Sequence, residues 1–233
     1  MVIMYLVRWL IFCSLFVVQH CIAIDSVKLA VENSWPPYSN QKGDGISKEI
    51  IEAAYSTLNI KTEFVVVPYA RALKMAENGQ VDGAFNVTKQ QSTLDKFNFG
   101  QRPILQATAS FYYPKTSKLD FQHVDDIPND TVVGVILGYE YGNDYDSAKG
   151  RFREVRVSNQ TQLIGLLLNK RIDLAIMFDE VAKAKLSALA LDFDAIKKGQ
   201  INHKSDIYVA FSKSKDTTQA MQLLDRGLAI IAK

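Results

Sequence analysis

The chain has 233 residues, of which 48% are hydrophobic and 22% are charged, and its formal net charge is +2 at pH 7. This composition is typical of a globular protein, and a charge so close to zero argues against a nucleic-acid or membrane-surface partner. The length allows one large domain or two small ones.

The first 23 residues have the pattern of a secretory signal peptide. Residues 1–8 carry one positive charge, residues 9–18 are almost wholly apolar, and Ala23 is a small residue suited to cleavage. The apolar run is shorter than the roughly 20 residues of a membrane span. We therefore expect cleavage after Ala23 and a mature protein in the periplasm. A lipid on Cys21 is the weaker alternative, because the two residues before it are large.

Strand and helix patterns alternate over the first part of the mature chain. The predicted strands cover residues 27–31, 62–67 and 83–87, and the predicted helices cover residues 46–58 and 70–78. This alternation favours a parallel sheet with helices packed on its faces.

The same order recurs further along the chain. Here the predicted strands cover residues 132–137, 153–157 and 173–178, and the predicted helices cover residues 141–148, 160–168 and 180–189. Residues 78–84 and 169–175 share the pattern Asn-x-x-(Val/Ile)-Asp-x-Ala, each between a helix and a strand. The alternative is that any helix-to-strand junction draws on the same few residue types. We interpret the shared pattern as support for two similar α/β units in tandem.

Two long extended runs, residues 104–113 and 205–211, flank the second unit, and a helix follows from residue 217. If that helix packs on the first unit, the chain crosses twice between two lobes, and two extended crossings form a hinge. The sequence thus predicts one lobe from residues 24–110 and 208–233 and the other from residues 111–207. Each lobe is expected to have its own mostly parallel sheet.

Several motifs resemble the polar amino-acid type of bacterial extracytoplasmic solute-binding proteins, which are partners of ABC importers. The motifs are Trp-Pro-Pro-Tyr at 35–38, the run from Pro68 to Ala84, Phe-Asn-Phe-Gly at 97–100, the run from Val133 to Gly142, and Arg-Ile-Asp-Leu-Ala-Ile at 171–176. The resemblance covers nearly all of the mature chain. It implies the two-lobed fold of type II periplasmic binding proteins, with the ligand in a cleft that closes by hinge bending.

Five residues of the first lobe are candidate ligand contacts. Trp35 and Tyr38 follow a strand, and the two prolines between them restrict the loop so that their rings stand ready at the cleft; the alternative is that Trp35 caps the core. Arg71 begins a helix and suits a carboxylate, unless it is an ordinary surface residue. Asn86 and Thr88 end a strand where the family meets its ligand, or they are turn residues.

The turn at residues 138–142 supplies the candidate contacts of the second lobe. Gly138 and the following amides lie before a predicted helix and suit an anionic group, although the charge of Glu140 opposes one. Tyr139 and Tyr141 offer ring faces and hydroxyls, with core packing as the alternative. Asp179 is a candidate for a ligand amino group, or it caps the next helix.

The chain departs from the family pattern in two places. Many amino-acid binders carry an Arg shortly after a Thr-Pro-Glu segment, where it holds the ligand carboxylate, and residues 88–94 contain no Arg. Those proteins also carry an Asp that contacts the amino group of the ligand. This chain has Phe178 at that position, one residue before Asp179. Arg71 is then the best-placed cation for an anionic group on the ligand.

No common catalytic or metal-binding motif is present, and cleavage would remove Cys13 and Cys21, the two cysteines of the chain. We expect no cofactor, no metal and no catalytic residues. The predicted function is capture of a small polar, amino-acid-like or carboxylate solute by a monomeric protein, with an inner-membrane ABC permease as the expected partner that receives it. The alternatives are a dehydratase-like enzyme on the same scaffold and a sensing module that docks on a membrane receptor.

Overall fold

The computed structural model describes residues 24–232, so the predicted signal peptide lies outside the described residues. Its strands are β1 (Ser26–Glu32), β2 (Lys61–Val67), β3 (Gly83–Thr88), β4 (Phe97–Phe99), β5 (Leu105–Pro114), β6 (Val132–Ile136), β7 (Arg153–Val157), β8 (Leu174–Phe178) and β9 (Ile196–Ser212). Its α-helices are α1 (Ile46–Ser56), α2 (Tyr69–Glu77), α3 (Gln91–Leu94), α4 (Asn143–Ala148), α5 (Gln160–Leu168), α6 (Asp179–Ala188) and α7 (Thr218–Ile231). Within this range, none of the helices combines the length and the hydropathy that crossing a membrane requires.

Hydrogen bonds join the strands in the order β2-β1-β3-β9-β5-β8-β6-β7, with β4 paired to β9. Pairing is parallel from β1 to β2 and β3, and again from β6 to β7 and β8. We call β1–β4 with α1–α3 and α7 the first lobe, and β6–β8 with α4–α6 the second lobe. The predicted α/β class with two parallel units joined by two long strands is confirmed. The expectation of a separate sheet in each lobe was wrong, because β5 and β9 continue the hydrogen bonding from one lobe to the other.

The two long strands β5 and β9 connect the lobes. They pair in antiparallel fashion, from Leu105 opposite Ile207 to Pro114 opposite Ile196, with two irregularities in register. β9 has 17 residues, whereas the sequence predicted a strand only over residues 205–211. The prediction was too short because the first half of β9 is polar and shows no alternation. The predicted boundaries between the lobes fall inside β5 and β9, and they stay a prediction.

The shared Asn-x-x-(Val/Ile)-Asp-x-Ala motif has the same structural role in both lobes. Its asparagine is the C-cap of α2 in one lobe and of α5 in the other. The backbone N–H of Lys28 donates to the Asp82 carboxylate at 2.7 Å, and the backbone N–H of Val132 donates to the Asp173 carboxylate at 2.8 Å. In each lobe the aspartate therefore fixes the central strand to the strand that follows the motif, which supports the internal repeat.

The last helix, α7, packs against α1 of the first lobe, as predicted. The Tyr55 hydroxyl donates to the carbonyl oxygen of Ala220 at 3.0 Å inside this contact. Gly227 faces Ala54 so closely that a Cβ at position 227 would lie 2.2 Å from the Ala54 carbonyl oxygen. Only glycine allows this approach of the two helices, so α7 holds the end of the chain on the first lobe.

We expect Gly227→Ala to destabilise the protein by about 1–3 kcal/mol, because the new methyl group must push α7 away from α1. The matched control is Gly165→Ala in α5, where a Cβ meets no atom within 4 Å. That change should stabilise the helix by up to about 1 kcal/mol. Urea unfolding followed by circular dichroism measures both effects. Equal stability of the Gly227→Ala variant and the parent would contradict this packing.

Candidate functional site

The cleft lies at the carboxyl ends of the parallel strands of both lobes, where ligands gather in open α/β sheets. The cavity at this place is lined by Glu32, Trp35, Tyr69, Asn86, Thr88, Tyr139, Glu140 and Phe178. Its volume is about 10 Å³, which is about the space that one water molecule needs. A solute of amino-acid size can therefore enter this cavity only when the lobes move apart.

The side chain of Glu32, at the end of β1, is buried between the lobes with 2% of the residue exposed. One carboxyl oxygen accepts a hydrogen bond from the Tyr139 hydroxyl of the opposite lobe, and the other has no partner among the described residues. Burial raises the pKa of Glu32 from 4.5 to about 8, and the nearby Glu140 adds to this rise. The hydrogen bond from Tyr139 and the charge of Lys185 oppose it.

Glu140 has the reciprocal arrangement. Its carboxyl group belongs to the second lobe and accepts a hydrogen bond of 2.6 Å from the hydroxyl of Tyr69 in the first lobe. Burial raises the pKa of Glu140 to about 8, while the bonds from Tyr69 and from the backbone N–H groups of Glu140 and Thr88 lower it. Asp146 contributes a smaller rise. Each lobe thus supplies one carboxyl and one tyrosine to a crossed pair of hydrogen bonds.

Aromatic rings make further contacts across the cleft. The Trp35 ring lies 4.4 Å from the Tyr38 ring and 5.1 Å from the Phe178 ring of the second lobe, to which it is perpendicular. The Tyr69 and Tyr139 rings also meet across the cleft, at 4.7 Å. Trp35 is only 1% exposed, so it both packs in the core and lines the cavity. Tyr38 contacts the Trp35 ring but does not line the cavity.

Asn86 and Thr88 both line the cavity from β3. The pairing of β3 with β9 shifts register between Phe85 and Val87, and Asn86 adopts a positive φ of 67° there. Such irregularities re-aim side chains, and asparagine tolerates this conformation better than most residues. The Asn86 amide donates to the Ser39 hydroxyl at 3.1 Å, and its oxygen has no partner among the described residues.

The other predicted contacts of the second lobe do not line the cavity. Tyr141 is buried, and its hydroxyl accepts from the Ile136 N–H at 2.7 Å. Gly138, at a φ of 86°, packs against α2, where a Cβ would lie 3.2 Å from the Ala70 side chain. Asp179 accepts from the Tyr112 hydroxyl at 2.9 Å and forms a salt bridge of 2.8 Å with Lys198. Tyr141 therefore packs in the core, and Asp179 is paired with side chains of β5 and β9.

Arg71 and the backbone amides before α4 are the two groups that were predicted to bind an anion. Arg71 lies in the first turn of α2 with an exposed side chain, and it is not among the residues that line the cavity. The backbone N–H of Gly142 donates to the Gln90 side chain of the first lobe at 3.2 Å, and Gln90 also donates to Asp146 at 2.6 Å. A role for Arg71 in binding stays a prediction.

Sequence inspection did not select Glu32, Tyr69 and Glu140 as ligand contacts, although all three line the cavity. Glu32 ends a strand and Tyr69 follows Pro68, so both had the positional signal that singled out their neighbours.

The described residues also contain no group of three or more His, Cys, Asp or Glu side chains arranged to hold a metal ion.

The sequence matches the family model described as bacterial extracellular solute-binding proteins, family 3, over residues 27–233. No curated protein matches the chain.

Three solved structures illustrate the similarity of fold. The amino acid ABC transporter substrate-binding protein AbpA from Streptococcus pneumoniae, bound to L-arginine, has a TM-score of 0.73 and 18% identity, over 89% of both chains. A histidine kinase sensor domain with similarity to periplasmic binding proteins has a TM-score of 0.75 and 13% identity, over 90% of this chain and 91% of that one. The ancestral amino acid-binding protein AncCDT-1, a precursor of cyclohexadienyl dehydratase, has a TM-score of 0.71 and 16% identity, over 89% of this chain and 90% of that one.

The raised pKa values predict how stability depends on pH. Because folding raises the pKa of Glu32 and Glu140 from 4.5 to about 8, the folded protein binds more protons than the unfolded chain. Their contribution to stability therefore falls as pH rises from about 4.5 to 8. We expect Glu32→Gln and Glu140→Gln each to be more stable than the parent at pH 8, by on the order of 1–3 kcal/mol, and to lose this advantage near pH 4.5.

Thermal unfolding of the parent and both variants between pH 4.5 and 8 measures this effect. The matched control is Glu63→Gln, which changes an exposed carboxylate of the first lobe and should leave the pH profile as it is. Parallel pH profiles for the parent and the two cleft variants would contradict the burial of the Glu32 and Glu140 carboxyl groups in the cleft.

Proposed function

Because the chain belongs to family 3 of the bacterial extracellular solute-binding proteins, we propose that it captures a small polar solute between its two lobes in the periplasm. We further propose that it delivers this solute to an inner-membrane ABC permease and acts as a monomer without catalytic activity. The lobes open for entry and close around the solute by bending at β5 and β9.

The observation that carries this proposal is the composition of the cavity wall. Trp35, Tyr69 and Asn86 come from the first lobe, while Tyr139 and Phe178 come from the second. A solute held there contacts both lobes at once, so its binding energy favours the closed arrangement over the open one. The family and the L-arginine bound to AbpA support an amino-acid-like solute as the class to test first.

The buried carboxyls favour one alternative, a dehydratase-like enzyme. A carboxyl that remains protonated near neutral pH is suited to donate a proton to a leaving group. Glu140 meets this condition in the cleft, and AncCDT-1 is described as a precursor of a dehydratase. Mass spectrometry of a bound solute after incubation with the protein separates the two functions: loss of water from the solute supports the enzyme, and an unchanged solute contradicts it.

Thermal shift against a panel of amino acids, small carboxylates and polyamines tests the binding function. A solute at 100 times its dissociation constant adds about 2.7 kcal/mol of stability, which raises the Tm of a chain of this size by about 5–10 °C. Trp35→Ala should reduce the shift, because the solute loses the ring that packs between Tyr38 and Phe178.

The matched control is Phe193→Ala, which removes an aromatic ring that is 46% exposed and not part of the cavity wall. This variant should keep the full shift. Circular dichroism verifies that the Trp35→Ala variant folds, and Trp35→Phe serves as a milder change if it does not. Equal affinity of a folded Trp35 variant and the parent would place the binding site elsewhere.

A further inference from the structure

The charged side chains that line the cavity are all acidic. Glu32 and Glu140 contribute carboxyl groups, and the lining contains no Lys, Arg or His. The positive charge that lowers the pKa of Glu32 is that of Lys185 on α6, a side chain outside the cavity wall. Arg71 is exposed and also outside that wall. The cavity therefore offers two carboxyl groups without a resident counter-ion among its lining residues.

Three buried polar atoms of residues that line the cavity have no partner among residues 24–232: the Trp35 Nε1 donor and two acceptors. One carboxyl oxygen of Glu32 and the amide oxygen of Asn86 are buried acceptors, and neither has a donor among residues 24–232. Glu32 is 2% exposed and Asn86 is 5% exposed, so both groups are enclosed by protein. A buried acceptor without a donor costs about 1–3 kcal/mol, and a solute that brings N–H groups removes this cost.

The aromatic lining adds a second preference for positive charge. Trp35, Tyr69, Tyr139 and Phe178 present rings around the two carboxyl groups. Ring faces attract ammonium and guanidinium groups, most strongly where water is excluded. An anionic solute would meet the negative faces of the rings as well as two carboxyl groups.

We propose that the cleft selects a small organic cation, held through its ammonium or guanidinium group, and that it needs no carboxylate on that solute. This inference rests on the proposed solute-binding function. The N–H groups of the cation would donate to Glu32 and Asn86 in the first lobe and to Glu140 in the second. Tyr69 and Tyr139 would then exchange their present hydrogen bonds for contact between their rings and the cation.

Calorimetry with butane-1,4-diamine and succinate at pH 8 tests the proposal, because the two probes have four carbons each and opposite charges. We expect the diamine to bind and succinate to fail. Removal of a charged partner inside a closed cleft should weaken diamine binding about 30-fold or more in Glu32→Gln and in Glu140→Gln. The control Glu63→Gln should stay within about twofold of the parent, and Arg71→Ala tests the alternative of an anion site.

Several results would overturn the proposal. Succinate binding without diamine binding, or a large loss in Arg71→Ala with no loss in either cleft variant, would show that the site holds an anion. Failure of the diamine to bind the parent overturns it as well. Binding of succinate or a neutral amino acid, lost in Trp35→Ala, would leave the proposed solute-binding function intact while this inference fails. If Glu32→Gln does not fold, the Glu140→Gln variant and the two probes still decide.

Discussion

Burial of two carboxyl groups between the lobes is the constraint on which the cleft depends. A carboxylate enclosed without a counter-ion is costly, so Glu32 and Glu140 favour their protonated forms while the lobes are in contact. Each carboxyl group accepts a hydrogen bond from a tyrosine of the opposite lobe. Separation of the lobes therefore breaks both hydrogen bonds and returns both carboxyl groups to water. Closure and protonation are consequently coupled in this protein.

Much of the scaffold could be predicted from the sequence, because its elements follow local patterns. The β-prone runs and helical periodicities place most elements within about two residues of their observed bounds, and the aspartates Asp82 and Asp173 have the equivalent roles that the repeated motif indicated. The family match confirms the resemblance that the motifs predicted. β9 was underestimated because its polar first half becomes a strand only through pairing with β5, a contact distant in sequence.

The site was less predictable because it depends on side-chain direction and on contacts between distant residues. Tyr69 and Arg71 both follow Pro68, and only the rotation of α2 decides that the tyrosine faces the cavity and the arginine faces solvent. Asp179 is paired by Tyr112 and Lys198, which no local pattern connects to it. By contrast, topology alone was enough to place the loop of Trp35 at the carboxyl ends of the strands.

The most direct measurement is an NMR titration of the side-chain carboxyl carbons in protein labelled with ¹³C-glutamate, with Glu32→Gln and Glu140→Gln used to assign the signals. If the two carboxyls are enclosed as described, their signals titrate near pH 8, apart from the other glutamates, and each disappears in its own variant. If every glutamate instead titrates between about pH 4 and 5, the two carboxyls face water and the cleft does not close in this way.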